Sequence, residues 1–164
     1  MKAVLDALQK LNIEYKLKEH EAVCTVEEAD KFWTDIEGVH CKNLFLRDKK
    51  GKQHYLVVAN KNTSVSIESL NQMLGNERLG FASERRLDKY LKLIRGAVSP
   101  FGIINDMDDH VILLIDQSLQ KATMVSFHPN VNTATLSLSF LDFEKFLQQS
   151  GNAYRYIDFD SFQS

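Results

Sequence analysis

The sequence predicts an α+β fold: a mixed β-sheet flanked by helices in a single domain spanning residues 1–164. Three observations carry that expectation. Stretches of helical and of two-residue periodicity are interleaved irregularly, unlike the strict alternation of a doubly wound sheet. Several strand-like runs are joined in pairs by short polar turns, as in hairpins. The 164 residues, 44% hydrophobic and 26% charged, can bury one sizeable core. No internal repeat, linker or low-complexity stretch divides the chain.

Val4, Leu5, Leu8 and Leu11 recur at helical spacing, and Asn12 suits the end of that helix. Tyr15 and Leu17 alternate with Lys16 and Lys18, the pattern of a half-buried strand. Thr25 followed by Glu28 forms a capping box for a helix through about Trp33, and Thr34 to Cys41 reads as loop. Asn43 to Arg47 and His54 to Ala59 are β-prone runs around the charged turn Asp48-Lys49-Lys50-Gly51-Lys52, whose glycine admits positive φ. This is the clearest hairpin.

Ser66 caps a helix carrying Ile67, Leu70, Met73 and Leu74, which Gly75 ends. Leu79 to Ala82 is a short strand, and Ser83 caps a helix from Glu84 to about Leu93. Phe101 to Ile104 and Val111 to Ile115 read as two central strands around the acidic turn Asn105 to Asp109. Met124 to Phe127 and Thr133 to Ser139 form a further pair, Ser139 with Asp142 opens a helix to about Gln149, and Tyr154 to Phe159 ends the fold as a strand.

Composition narrows the function. With 20 basic and 22 acidic residues the formal charge is -2, so a nucleic-acid partner must be held by a local patch, and a sequence-blind DNA coater is disfavoured. Cys24 and Cys41 are the only cysteines, and Met1 to Lys10 lacks the apolar block of a signal peptide. A cytoplasmic chain with reduced thiols is expected. No apolar run approaches the roughly 20 residues that cross a bilayer, so no membrane association is expected.

Three separated segments hold residues more specialised than packing requires: Lys42-Asn43, Gly96 to Phe101, and Phe127-His128-Pro129-Asn130 with Asn132-Thr133. Lys42, read as standing just before a strand, can meet a phosphate or a developing oxyanion, with the Asn43 amide beside it. Lysine there is ordinarily only a solvated charge. Gly96-x-x-x-Pro100 permits close backbone approach to a ligand, although a glycine ending a helix and a proline opening a strand explain the same letters. His128 can line a pocket, donate a hydrogen bond or transfer a proton, or be a turn histidine without a role.

His20, His40, His54 and His110 show no partner pattern, and His40 with Cys41 lacks the spacing of a zinc site. The basic clusters Arg47-Lys49-Lys50-Lys52 and Arg85-Arg86-Lys89-Lys92-Arg95 can contact RNA phosphates, but exposed turns and helices are commonly charged, and Asp48, Glu84 and Asp88 interrupt them.

Together, Lys42-Asn43-Leu44-Phe45-Leu46, Leu79-Gly80-Phe81-Ala82-Ser83, Gly96 to Gly102, Ile104-Asn105-Asp106 and Phe127-His128-Pro129-Asn130 resemble the YbaK/prolyl-tRNA-synthetase-associated editing-domain family in order and spacing over nearly the whole chain. Thr25 to Ala29 and Ile157-Asp158-Phe159 fit as well, and the free-standing prolyl-tRNA editing branch fits best.

The resemblance implies a mixed, barrel-like sheet with helices around it. It implies hydrolysis of the ester in mischarged tRNA-Pro, with Ala-tRNA-Pro as the expected substrate, and no cofactor, metal or covalent enzyme intermediate. By that resemblance the catalytic positions are Lys42, Asn43, Gly96 and His128, and the substrate-binding positions Ala97, Val98, Ser99, Pro100, Phe127 and Asn130. The expected partners are the acceptor end of tRNA-Pro and a prolyl-tRNA synthetase, with no DNA. The alternatives are a Cys-tRNA-Pro or Ser-tRNA deacylase and a non-catalytic tRNA- or synthetase-binding module.

Overall fold

The computed structural model describes residues 1–22, 38–75 and 78–162. Its secondary structure, in chain order, is α1 (Lys2–Lys10), β1 (Lys16–Glu19), β2 (Val39–Arg47), β3 (His54–Asn60), α2 (Ile67–Met73), β4 (Gly80–Phe81), α3 (Glu84–Leu91), β5 (Ile112–Asp116), β6 (Met124–Phe127), β7 (Ala134–Ser139), α4 (Phe140–Ser150) and β8 (Tyr154–Ile157). Short 3-10 helices span Pro100–Asn105, Gln117–Lys121 and Phe159–Phe162. The expected capping box at Thr25 and Glu28 lies outside the described residues.

The eight strands of the described residues form one mixed sheet in the order β1-β7-β6-β2-β3-β5-β8, with β4 on β2. Pairs β2 with β3, β6 with β7 and β1 with β7 are antiparallel, whereas β2 with β6, β3 with β5 and β5 with β8 are parallel. The sheet separates two apolar clusters. Phe45, Leu56, Val58, Leu113, Val125, Phe127 and Leu136 belong to one, under α1, α3 and α4; Leu46, Tyr55, Val57, Ala59 and Leu114 belong to the other, with Leu70 of α2. Strands buried on both faces explain why β3 is apolar almost throughout.

Local chemistry sets most boundaries. Ser66, Ser83 and Ser139 each accept a hydrogen bond through Oγ from the backbone N–H three residues on, capping α2, α3 and α4. Asn12, at φ 58, follows α1, and Gly151, at φ 86, ends α4. In the β2–β3 turn Asp48 Oδ1 accepts from the N–H groups of Lys52 and Gln53 at 2.8 and 3.2 Å, with Gly51 at φ 68.

Five expectations are corrected. Val39 to Cys41 is strand rather than loop, because Val39 and His40 pair in parallel with Val125 and Ser126 of β6. Lys42 is therefore inside β2, opposite Ala59, and not ahead of the strand. Phe101 to Ile104 is not a central strand but part of the 3-10 helix Pro100–Asn105: Pro100 presets φ, and Ser99 Oγ accepts from the Phe101 N–H at 3.1 Å. An apolar run buried on all sides does not distinguish the two forms. Finally, β8 stops at Ile157 and α3 stops at Leu91, where Lys92 turns left-handed at φ 54.

A parting of two strands forms the candidate site

Among the described residues, strands β2 and β6 run side by side only at Val39↔Val125 and His40↔Ser126. Two further residues in the same register would set Lys42 against His128. The strands instead part, and β2 is next paired on that edge at Leu46↔Phe81. Among the described residues, the stretch of β2 between those contacts has β3 alone as its strand neighbour. The parting lies beyond the C-terminal end of β6, and the carboxyl ends of parallel strands are where α/β sheets commonly take ligands.

The loop preceding the Pro100–Asn105 helix lies across the parting. Asn43, from β2, donates through Nδ2 to the Val98 carbonyl at 3.3 Å; Asn130, just beyond β6, donates through Nδ2 to the Phe101 carbonyl at 3.4 Å. Both side chains keep a buried Oδ1 without a hydrogen-bond partner. Gly96 begins the loop at φ 89, and Asn130 itself is left-handed at φ 64. Within the loop the Ala97 N–H donates to Ile94 O at 3.1 Å and the Gly102 N–H to Ser99 O at 3.1 Å. Ala97, Ser99 and Pro100 are buried and Val98 is half-buried.

Side-chain alternation then divides the residues selected from the sequence. Directly paired residues of neighbouring strands share a face. Asn43 pairs with Val58 and lies on the face of Phe45, Val125 and Phe127. Lys42 pairs with Ala59 and lies on the opposite face. That second face is polar over β6 and β7: it carries Ser126 and Ser137, whose hydroxyls meet at 2.8 Å, and Thr135, with Lys16 and Lys18 opposite Ser137 and Thr135 on β1. His40 joins it through its pairing with Ser126, and His20 Nε2 lies 2.8 Å from Thr135 Oγ1.

His128 continues the same alternation one residue past β6. Its Nδ1 lies 3.1 Å from the Ala134 carbonyl, so Nδ1 carries the proton and Nε2 is left as an acceptor. Burial lowers its pKa below the usual 6.5, the Ala134 carbonyl raises it in part, and His20 lowers it further. The ring is neutral at pH 7.

Phe127 is a core residue, 2% exposed, edge-on to Phe101 at 5.7 Å and tilted against Phe143 at 4.6 Å. It shapes the floor beneath the loop. Four positions not selected from the sequence, Ser126, Thr135, Ser137 and His40, lie on the face of Lys42. The alternation Thr135-Leu136-Ser137-Leu138-Ser139 was the available signal, a strand with one apolar and one hydroxylic side. Burial drives the Cys41 thiol pKa far upward, leaving it protonated and inert. Among the described residues no three His, Cys, Asp or Glu side chains could hold a metal ion. A separate concavity of about 410 Å³, between α1, α4 and Ile103-Ile104, contains none of these positions.

Comparison with known proteins gives a consistent picture. The family model described as the aminoacyl-tRNA editing domain matches residues 20–146. The chain is 48% identical over 158 residues to the prolyl-tRNA editing protein ProX of Acetoanaerobium sticklandii, across 95% of each chain. It is 32% identical over 161 residues to the prolyl-tRNA synthetase associated domain-containing protein 1 of Danio rerio, across 97% of this chain and 87% of the relative. Among solved structures, that of a hypothetical protein aligns with TM-score 0.73 at 20% identity, over 94% of this chain and 97% of the other. Another, of a candidate trans-editing enzyme for prolyl tRNA synthetase, aligns with TM-score 0.70 at 16% identity, over 96% and 92%. At such identities the structural likeness is one of fold.

Proposed function

The chain belongs to the aminoacyl-tRNA editing domain family, and from that membership we propose that it is a free-standing prolyl-tRNA editing deacylase that hydrolyses Ala-tRNA-Pro to alanine and tRNA-Pro. The observation that carries the reading is the parting of β2 from β6, around which Lys42, Asn43, His128 and Asn130 gather with the Gly96 to Pro100 loop. The relatives named for prolyl-tRNA editing and for the prolyl-tRNA synthetase support the choice of tRNA.

An aminoacyl ester is already activated, so hydrolysis needs an oriented water, stabilisation of the oxyanion and a held 3' end. Water adds to the ester carbonyl, the oxyanion collapses, and the ribose oxygen leaves with a proton. The loop N–H groups not engaged by the described hydrogen bonds, those of Gly96, Val98 and Ser99, are the donors assigned to the oxyanion. Asn43 and Asn130 are positioning residues, since their amide nitrogens hold the loop.

The two faces of β2 give its neighbouring residues different parts of the substrate. Asn43 serves the aminoacyl side, and Lys42 takes the terminal adenosine or its phosphate, its long stem carrying the ammonium past the unpaired strand edge. His128, held neutral on the face of Lys42, presents Nε2 as an acceptor. A pocket that admits alanine and sterically rejects the pyrrolidine ring spares Pro-tRNA-Pro by size.

The test is a deacylation panel with tRNA-Pro charged with alanine, cysteine, serine or proline, and Ala-tRNA-Ala as control. Clearance of Ala-tRNA-Pro with Pro-tRNA-Pro left intact is expected. Clearance of Cys-tRNA-Pro alone moves the substrate assignment to cysteine, and binding of tRNA without hydrolysis of any species makes the chain a non-catalytic module.

A further inference from the structure

Arg86 joins two basic clusters that are remote in sequence. From α3 its Nη1 donates to the Gly51 carbonyl in the β2–β3 turn at 3.1 Å and to His54 Nε2 at 3.1 Å. The contact is close enough that a Cβ on Gly51 would stand 2.5 Å from Arg86 Nη2. Because His54 accepts on Nε2, its proton is on Nδ1, which lies 2.9 Å from His110 Nε2. Tyr90 packs on both imidazoles, with ring centroids 4.1 and 4.7 Å away. Arg86 is thus a strut that ties the turn carrying the exposed cations Lys49, Lys50 and Lys52 to the helix carrying the exposed Arg85 and Lys89, with exposed Lys92 just past its end.

The acids that interrupt these clusters in sequence are turned aside in space. Asp48 Oδ1 is occupied by the N–H groups of Lys52 and Gln53 inside the turn. On α3, at about 100° per residue, the buried Leu87 and Leu91 define the core side. Arg86 and Tyr90 then flank the hairpin, Arg85 and Lys89 point outward, and Glu84 and Asp88 fall on the flank away from the hairpin, while exposed Lys92 stands just past the helix in its left-handed cap.

This basic face leads to the site. The Leu91 carbonyl accepts from Asn105 Nδ2 at 2.9 Å, and Gly102 packs against Leu91 and Leu93 too closely to admit a Cβ, its ideal position lying 2.7 Å from Leu93 Cδ1. The end of α3 is therefore fixed to the 3-10 helix that follows the candidate loop, with exposed Arg95 directly before Gly96. From Leu91 back to Arg85 the helix extends ~9 Å, at about 1.5 Å per residue.

We propose that α3 and the β2–β3 turn form one phosphate-binding ridge that holds the acceptor stem of the substrate RNA while its 3' end enters the parting of β2 and β6. The proposal rests on the editing function proposed above. A rigid row of point charges leading away from the site, on a chain of net charge -2, fits the backbone of a duplex continuous with the bound 3' end.

The experiment measures binding of uncharged tRNA-Pro by fluorescence anisotropy over a KCl series. It compares the full chain with the triple variants Lys49→Ala/Lys50→Ala/Lys52→Ala and Arg85→Ala/Lys89→Ala/Lys92→Ala, with thermal melts to verify folding. Each phosphate contact contributes about 0.7 to 0.9 to the slope of log affinity against log salt, so each triple variant should flatten the slope by about 2. On mischarged tRNA the same variants should raise KM with kcat little changed. Slopes unchanged in both folded variants overturn the proposal, as does loss of binding to phosphatidylserine vesicles with tRNA binding intact. Uncharged tRNA makes this test independent of deacylation, so failure of the ridge and failure of the editing function are separately visible.

Discussion

Asn43 and Asn130 grip one loop at two points, Asn43 through the Val98 carbonyl and Asn130 through the Phe101 carbonyl. Turning either amide would set its oxygen against a carbonyl oxygen, so the nitrogens face the loop and each Oδ1 stays buried and unpaired. An unsatisfied buried acceptor costs about 1 to 3 kcal/mol, a cost concentrated where function constrains the chain. Asn43→Ala should therefore change stability by only about 1 kcal/mol, or roughly 2 to 4 °C in Tm for a chain of this size. It should lower kcat/KM for Ala-tRNA-Pro by ~10-fold or more. Melting curves and single-turnover deacylation check both; a fast variant with a loosened loop would contradict the positioning role.

Lys42→Ala should lower kcat/KM by roughly 10- to 150-fold, the equivalent of about 1.5 to 3 kcal/mol for a charge-assisted contact. Lys42→Arg should recover part of that loss, since it keeps the charge but changes its geometry. Initial rates at several salt concentrations check this, and equal turnover by Lys42→Ala and wild type would remove Lys42 from the mechanism.

The depressed pKa of His128 has a directional consequence for the rate. Its ring stays neutral as pH falls through 6.5, the ordinary histidine value, and gains its second proton only below it. A pH profile of kcat/KM should lack a histidine inflection at 6.5 and decline at lower pH. His128→Gln, which retains an acceptor, should remain more active than His128→Ala. An inflection at 6.5 lost in His128→Gln would show instead an ordinary, solvated histidine.

His54 predicts how stability follows pH. Burial, then His110 and Arg86, push its pKa down from 6.5 to about 4, against a smaller opposing effect of Asp48. The unfolded chain takes up this proton below about 6.5, while the folded chain resists it until about 4. The contribution is fully present above pH 6.5 and is lost progressively as pH falls toward 4. Tm measured from pH 7.5 to 4 should fall, and His54→Leu should make the fall shallower even if it lowers Tm at pH 7.

Gly102→Ala should lower stability by about 1 to 3 kcal/mol, the usual cost of overpacking, since the new Cβ meets Leu93 Cδ1 at 2.7 Å and Leu91 Cβ at 3.1 Å. Because that contact fixes the end of α3 to the 3-10 helix, deacylation should fall with it. Denaturant melts and rates measured well below the transition check the prediction.

Much of the fold is legible where the determinants are local. Ser66, Ser83 and Ser139 cap helices through a donor three residues away, and Asp48 with Gly51 closes the hairpin within one turn. Phe101 to Ile104 reads as strand in the sequence, though it lies in the Pro100–Asn105 helix, because Phe101, Gly102 and Ile103 are buried without a period. The histidines His54 and His110 show no partner in sequence because their contacts are with each other and with Arg86 and Tyr90 of α3, all distant along the chain.

The sequence by itself determined the hairpin, the capped helices and the order of the Lys42-Asn43, Gly96 to Pro100 and His128 segments, because turn and cap geometries close over a few residues and motif order is a linear property. Only the tertiary structure decided that β2 begins at Val39, that it parts from β6 after His40, that Lys42 and Asn43 serve opposite faces, and that Arg86 unites two basic clusters. Those outcomes depend on which strand or helix lies alongside, a choice made by packing over the whole sheet and carried by no local window of residues.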